Sequence, residues 1–248
     1  MIFFSKRFLM AGFCALAVTV CGAPEKKNEV KPAWKTDFDS TVKSDKIQVP
    51  KGWTLKGKPF VTDAEFSVVK DKEGKNVLRM YADKASGTLL CEVKGVDLNK
   101  YPIIRWRWKA IKLPTGGDGR KSDKDDQAIG IYVGTGRFSQ DSIAYRWETL
   151  PPIGSDGKVT YGGMVSVKWY CLQNDKSPMD KWITEERNIA ADFKKVYGYV
   201  PEKFAVSVVC NSQYTKSISE AQLAWVEFLP ASVVSGKDAK TKKTAGKK

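Results

Sequence analysis

The chain has 248 residues, 42 Lys and Arg against 28 Asp and Glu, a formal net charge of +14, five Cys and no His. Without imidazole, the Ser-His and Cys-His nucleophile systems and most catalytic zinc sites are excluded, so any catalysis would rest on carboxylates, Lys, Tyr, Ser or Cys. Of the net charge, +2 lies in residues 1–22, +1 in 23–33 and +5 from Ser235 onward, which leaves about +6 on the body and suits anionic partners.

Lys6 and Arg7 precede the apolar run Phe8 to Val20, which has the charge order of a secretory signal and is short for a membrane span. Residues 1–22 are therefore read as a signal peptide. Cys21 is a candidate lipidation site at the end of Val18-Thr19-Val20-Cys21, with ordinary cleavage near Cys21 or Gly22 as the competing reading. An exported or periplasmic protein of the cell envelope follows, with no nucleic acid as partner and membrane contact only through that lipid. Residues 23–46 are polar and weakly periodic and read as a flexible linker, 47–231 as a β-sandwich domain, and 232–248 as a disordered Lys-rich tail.

Short strands are predicted at Glu65 to Val69 and Val77 to Ala82, around the turn Asp71-Lys72-Glu73-Gly74, and at Thr88 to Val93. In Pro102 to Ala110, Ile104, Trp106 and Trp108 alternate with Arg105, Arg107 and Lys109, the signature of a half-buried strand. Leu113 to Gln127 is a loop with Asp118, Asp123, Asp125 and Asp126. It lacks EF-hand spacing and carries Arg120, Lys121 and Lys124, so a solvated loop is favoured over calcium binding.

Ile129 to Val133, Ser142 to Thr149 and Met164 to Leu172 are further strands, the last two separated by a Gly/Pro-rich connection, Leu150 to Gly163. Trp182 to Pro201 is predicted as one amphipathic helix: Thr184 as N-cap, Glu185 and Glu186 in the first turn, Lys194 and Lys195 near the end, Gly198 and Pro201 as stop. Phe204 to Cys210 and Gln222 to Leu229 complete the set. The pattern gives an all-β fold, a two-sheet antiparallel β-sandwich, jelly-roll-like, with one amphipathic helix packed on it. Cys91, Cys171 and Cys210 remain after the signal; Cys171 and Cys210, on the apolar phase of their strands, are read as buried free thiols, with one bridge as the alternative. Trp106, Trp147, Trp169 and Trp225 are assigned to the core, Trp53 and Trp182 to the surface.

If the central strands are neighbours, Arg105, Arg107, Lys109, Arg146 and Lys168 share one face with Tyr132 and Tyr170. Such a basic aromatic face suits an anionic glycan or an acidic partner, rings stacking on sugars and cations pairing with acids, although the same alternation also describes a solvated outer face. Glu186, Arg187, Asn188 and Asp192 are read as a structural polar network pinning the helix to the sheet. Glu185, Glu186, Asp192, Asp125 and Asp126 could supply a glycosidase pair, but spacing in sequence sets no distance between them. No catalytic residue, metal or cofactor is assigned.

The run Arg-Trp-Arg-Trp-Lys at Arg105 to Lys109, Asp125-Asp126 before Ile131-Tyr132-Val133, Tyr145 and Trp147, then Trp182, Glu185-Glu186-Arg187-Asn188, Asp192-Phe193, Gly198 and Pro201 resembles the bacterial family known as domain of unknown function 3047. The resemblance covers about Tyr101 to Phe228 and implies an exported bacterial protein without bringing an activity. It also marks departures: family members tend to carry Arg where this chain has Gly130, and an Asp-x-Asp segment where it reads Asn211-Ser212-Gln213. Loss of those carboxylates removes charge that a metal or acid/base mechanism would need. The expected function is a non-enzymatic envelope binding or assembly module. The alternatives are a structural subunit of a periplasmic assembly such as a coat or flagellar sheath, and a carboxylate-based carbohydrate-active hydrolase.

Overall fold

The computed structural model describes residues 30–38, 41–43, 47–135 and 140–233. The expected signal peptide with Cys21 and the tail beyond 233 lie outside the described residues. Along the chain come β1 (Trp34–Thr36), β2 (Thr41–Lys43), β3 (Gln48–Pro50), β4 (Thr54–Lys56), β5 (Glu65–Lys70), β6 (Asn76–Asp83), β7 (Ser86–Val93) and β8 (Ile103–Lys112). They are followed by β9 (Ile129–Thr135), β10 (Asp141–Trp147), β11 (Asp156–Tyr161), β12 (Val165–Gln173), β13 (Ile183–Asn188), α1 (Ile189–Tyr197), β14 (Phe204–Asn211) and β15 (Ile218–Leu229).

Two sheets pack as a sandwich. The first has the order β13-β8-β15-β6-β5 with β1 also on β15; the second has the order β11-β12-β10-β9-β14-β7-β4. Between them the apolar phase of β8, Ile104, Trp106 and Trp108, meets Ile143, Tyr145 and Trp147 of β10, all fully buried. Trp106 stacks on Tyr145 with centroids 5.2 Å apart and Trp108 tilts against Trp147 at 5.7 Å, contacts worth about 0.5–1.5 kcal/mol each beyond area burial. Cys91, Cys171 and Cys210 are buried free thiols, as read for Cys171 and Cys210 from their strand phases.

Four expectations are corrected. First, the connection between β10 and β12 contains the edge strand β11, and β10 and β12 consequently pair in parallel, the exception to an otherwise antiparallel pattern. Second, the helix begins at Ile189. Ile183–Asn188 is instead an edge strand on β8, Glu186 lying opposite Arg105. Nothing from Thr184 to Asn188 supplies an apolar stripe to bury, so pairing with an open strand edge wins over the acidic helix-start signal. Third, the segment read as linker contributes β1, where Trp34 pairs with Phe228. Fourth, Trp53 is buried, at 8% exposure, its ring 5.9 Å from that of buried Phe38. Isolated aromatics in a three-residue strand leave no period to detect.

Candidate functional site

The strands predicted to share one basic face belong to different sheets. Arg105, Arg107 and Lys109 lie on the outward face of the first sheet, and each is already engaged. Arg105 donates to Glu227 at 2.7 Å, Lys109 to Asp180 at 2.8 Å, and the Arg107 guanidinium lies 5.5 Å from the Trp182 ring. Tyr132 and Arg146 belong to the outward face of the second sheet. Lys168 and Tyr170 point the opposite way along β12: Lys168 pairs with Asp156, and Tyr170 packs toward the main core, 6.1 Å from the Tyr145 ring. β8 and β9 are consecutive in sequence but not neighbours in space, so the proximity rule fails at this connection.

The residues expected to pin the helix divide similarly. The Tyr145 hydroxyl donates to Asp192 at 2.5 Å, and the Arg187 guanidinium, 3.2 Å from the same carboxylate, lies over the Tyr145 and Tyr170 rings. Burial, with Asp192 beside it, raises the Tyr145 phenol, which therefore stays protonated as a donor. Asn188 is the N-cap, its side chain accepting from Ala191 N–H at 2.9 Å. Glu186 takes no part, since the opposing Arg105 is turned to Glu227.

The principal cavity is a cleft of about 750 Å³ across the outward face of the second sheet. Its floor is Leu90 of β7, Ser207 and Val209 of β14, Tyr132 of β9, Ser142 of β10 and Val167 of β12. From β7 to β12 it crosses four strand spacings, about 19 Å. Tyr161 of β11 closes one side, Lys56 to Pro59 the other, and loops bring in Asp125, Gln127, Gln213 and Tyr214. Gly130 is what lets Tyr132 lean over the sheet, because a Cβ there would stand 2.6 Å from its ring.

Behind Tyr132 lies Arg146, fully buried, its guanidinium 5.5 Å from the rings of both Tyr132 and Trp169. Nη1 donates to Asp125 at 2.7 Å and lies 3.4 Å from Glu148. The other oxygen of Asp125 accepts from the Tyr161 hydroxyl at 2.6 Å. Burial pushes Glu148 up to about 7 against the pull of Arg146, with Asp125 reinforcing the rise. Burial likewise raises the Tyr132 and Tyr161 phenols, so both remain neutral.

Asn211 is held on both sides: Nδ2 donates to the Asp125 carbonyl at 2.8 Å and Oδ1 accepts from Gln127 N–H at 3.0 Å. A carboxylate in its place could not donate to that carbonyl, which gives the amide a positive structural role. Gln127 Nε2 donates to the Tyr132 hydroxyl at 3.1 Å, while Gln127 Oε1 and Gln213 Oε1 are buried in the cleft walls without a protein partner.

Three of the loop's four acids are consumed internally, and Asp123 is exposed. Asp118 pairs with Arg120, Asp125 with Arg146, and Asp126 accepts from Thr215 N–H at 2.7 Å. Among the described residues no His, Cys, Asp and Glu cluster is arranged to hold a metal. Asp125 is the only carboxylate among the described residues lining the cleft. Apart from Lys56 and Lys58 on the β4 side, the wall is uncharged or charge-balanced and rich in hydroxyls and amides, over an apolar floor. Sequence reading found Tyr132 and Arg146 but not the β7 and β14 positions. Asn211 and Gln213 had stood out only as departures from the family pattern.

No curated protein matches the chain. Among solved structures, the xyloglucanase domain of NopAA, a type three effector from Sinorhizobium fredii, is 13% identical with a TM-score of 0.47 over 80% of this chain and 100% of its own. The native family 12 xyloglucanase from Bacillus licheniformis is 11% identical, TM-score 0.42, over 80% and 98%. The family 11 carbohydrate-binding module of a Clostridium thermocellum cellulase is 9% identical, TM-score 0.39, over 77% and 95%. A protein family of unknown function, DUF3047, matches residues 51–227, from before β4 into β15 and so across every strand of the cleft sheet; the chain belongs to that family.

Proposed function

We propose that this is an exported, non-enzymatic glycan-binding module of the bacterial envelope, which holds an extended saccharide chain in the cleft of the second sheet. The observation that carries this is the cleft itself, about 750 Å³ across the outward face of the second sheet, with hydroxyl, amide and aromatic side chains along it. Ser142, Ser207, Gln127 and Gln213 place polar side chains along it where sugar hydroxyls can pair. Tyr132, Tyr161 and Tyr214 add ring surface beside them. Lys56 and Lys58 at one mouth, with the basic body, favour a glycan bearing negative charge.

One observation favours hydrolysis instead: Glu148 and Asp125 flank one guanidinium nitrogen in environments that differ, an arrangement that can divide acid from base. Glu148 is fully buried and does not line the cleft, so binding is the better reading. Calorimetric titration with xylohexaose tests it. Tyr132→Ala is expected to weaken binding about tenfold, from lost stacking and loss of the Gln127 contact. Reversing Arg107 to Glu, on the other sheet and outside any ion pair among the described residues, is expected to leave binding unchanged. If the wild type cleaves the chain and Glu148→Gln stops it, the hydrolase reading replaces this one.

A further inference from the structure

The loop after β4 contains a residue that its backbone does not favour. Val61 N–H bonds to the Lys58 carbonyl at 3.1 Å, closing the turn Lys58-Pro59-Phe60-Val61, and Phe60 has φ of +63°. Proline second and positive φ third is the layout of a type II turn, whose third position favours glycine. A phenylalanine there is strained. Its ring gains nothing from burial either, being 108% exposed. Neither local backbone preference nor packing among the described residues accounts for it, which points to contact with a ligand.

The surroundings indicate what that is. Phe60 borders a second pocket of about 380 Å³, shared with Lys58, Lys84, Gln213 and Tyr214. Lys58, Gln213 and Tyr214 also line the main cleft, so the two are continuous. Lys58 Nζ donates to the Tyr214 hydroxyl at 2.9 Å and stands 4.6 Å from that ring. The cleft centre is balanced, Asp125 against Arg146, whereas this end presents lysines and two aromatic rings.

We propose that the Phe60 pocket is the terminal subsite of the cleft, where a sugar ring bearing a carboxylate stacks on Phe60 and Tyr214 while its acid pairs with Lys58 and Lys84. The inference rests on the glycan reading of the cleft and sharpens its ligand class. The chain is neutral over the sheet and carries a uronic acid at one end.

Two matched probes test it: xylohexaose, and the same backbone carrying a terminal glucuronic acid. The acidic probe is expected to bind about tenfold tighter at low salt. Lys84→Glu, at a residue that lines the second pocket and not the main cleft, is expected to cut that preference severalfold while leaving xylohexaose binding intact. Phe60→Gly relieves the turn, so its melting temperature is expected to stay level or rise while affinity for the acidic probe falls about fivefold. A fold defect cannot produce that opposite pair of signs. Equal binding of the two probes, a preference undiminished in Lys84→Glu, or unchanged affinity in Phe60→Gly overturns the inference and leaves the cleft reading standing. If the wild type binds neither probe, both fall together.

Discussion

Arg146 and Glu148 show how a buried charge is tolerated under the cleft. The guanidinium is sealed between two rings with carboxylates only at Nη1, and its Nε and Nη2 have no protein partner. Removing one partner from such a pair leaves an uncompensated charge and is costly, whereas neutralising Glu148 need not be, since it is already poised near 7. Its pKa is raised above the ordinary 4.5, so the stability associated with its protonated form is fully present below about 4.5 and lost as pH climbs through about 7. Wild-type stability should therefore fall between pH 5 and pH 8 relative to Glu148→Gln, by an amount on the order of a few kcal/mol. Parallel urea titrations of both proteins across that range measure it. Identical pH profiles would show that Glu148 titrates normally.

At the scale of elements, the junction of β13 and α1 repays attention because one stretch of sequence divides into two structures. The helix end was legible: Gly198 adopts φ of +84° and its N–H returns to the Lys194 carbonyl, as a C-terminal glycine should. The start was not, because Thr184, Glu185 and Glu186 carry the same signal whether they begin a helix or decorate a strand edge. What decides is β8, whose open edge takes Ile183–Asn188 in register, and no local pattern announces that edge. The true cap, Asn188, makes a prediction distinct from the sequence reading. Asn188→Ala should cost about 1 kcal/mol in denaturant unfolding and Thr184→Ala much less, given that Thr184 is exposed on the strand. The reverse ranking would restore Thr184 as the cap.

For the whole molecule, alternation in the sequence revealed which residues face inward but not which sheet a strand joins. That is why Trp106, Trp147 and the single-helix sandwich were legible, while Trp225, read as core, lies half-buried against Lys35 and Arg105 and the proposed binding face was assembled from two sheets and both faces of one of them. The cleft needs β7, β14, β9, β10 and β12 side by side, and their order in space is not their order in the chain. The same non-local pairing sets where the domain begins. β15 is long enough to pair with β8 along one edge, while its other edge takes β6 at Ile218 to Leu223 and β1 at Val226 to Phe228. Trp34 covers the ring of Phe228 at 5.9 Å, and Lys35 lies 3.4 Å from buried Glu227. Removing residues 1–37 should therefore expose Phe228, unpair that edge and lower stability by about 2–4 kcal/mol, a loss of roughly 4–16 °C in melting temperature for a domain of this size. Glycan binding at 25 °C should survive in the fraction that remains folded, because the cleft lies on the opposite sheet. Calorimetric melting and titration of that truncation against the full chain read both quantities. Unchanged melting would return residues 23–46 to the status of a linker, while a loss of binding in still-folded protein would show that the two sheets are coupled through the core.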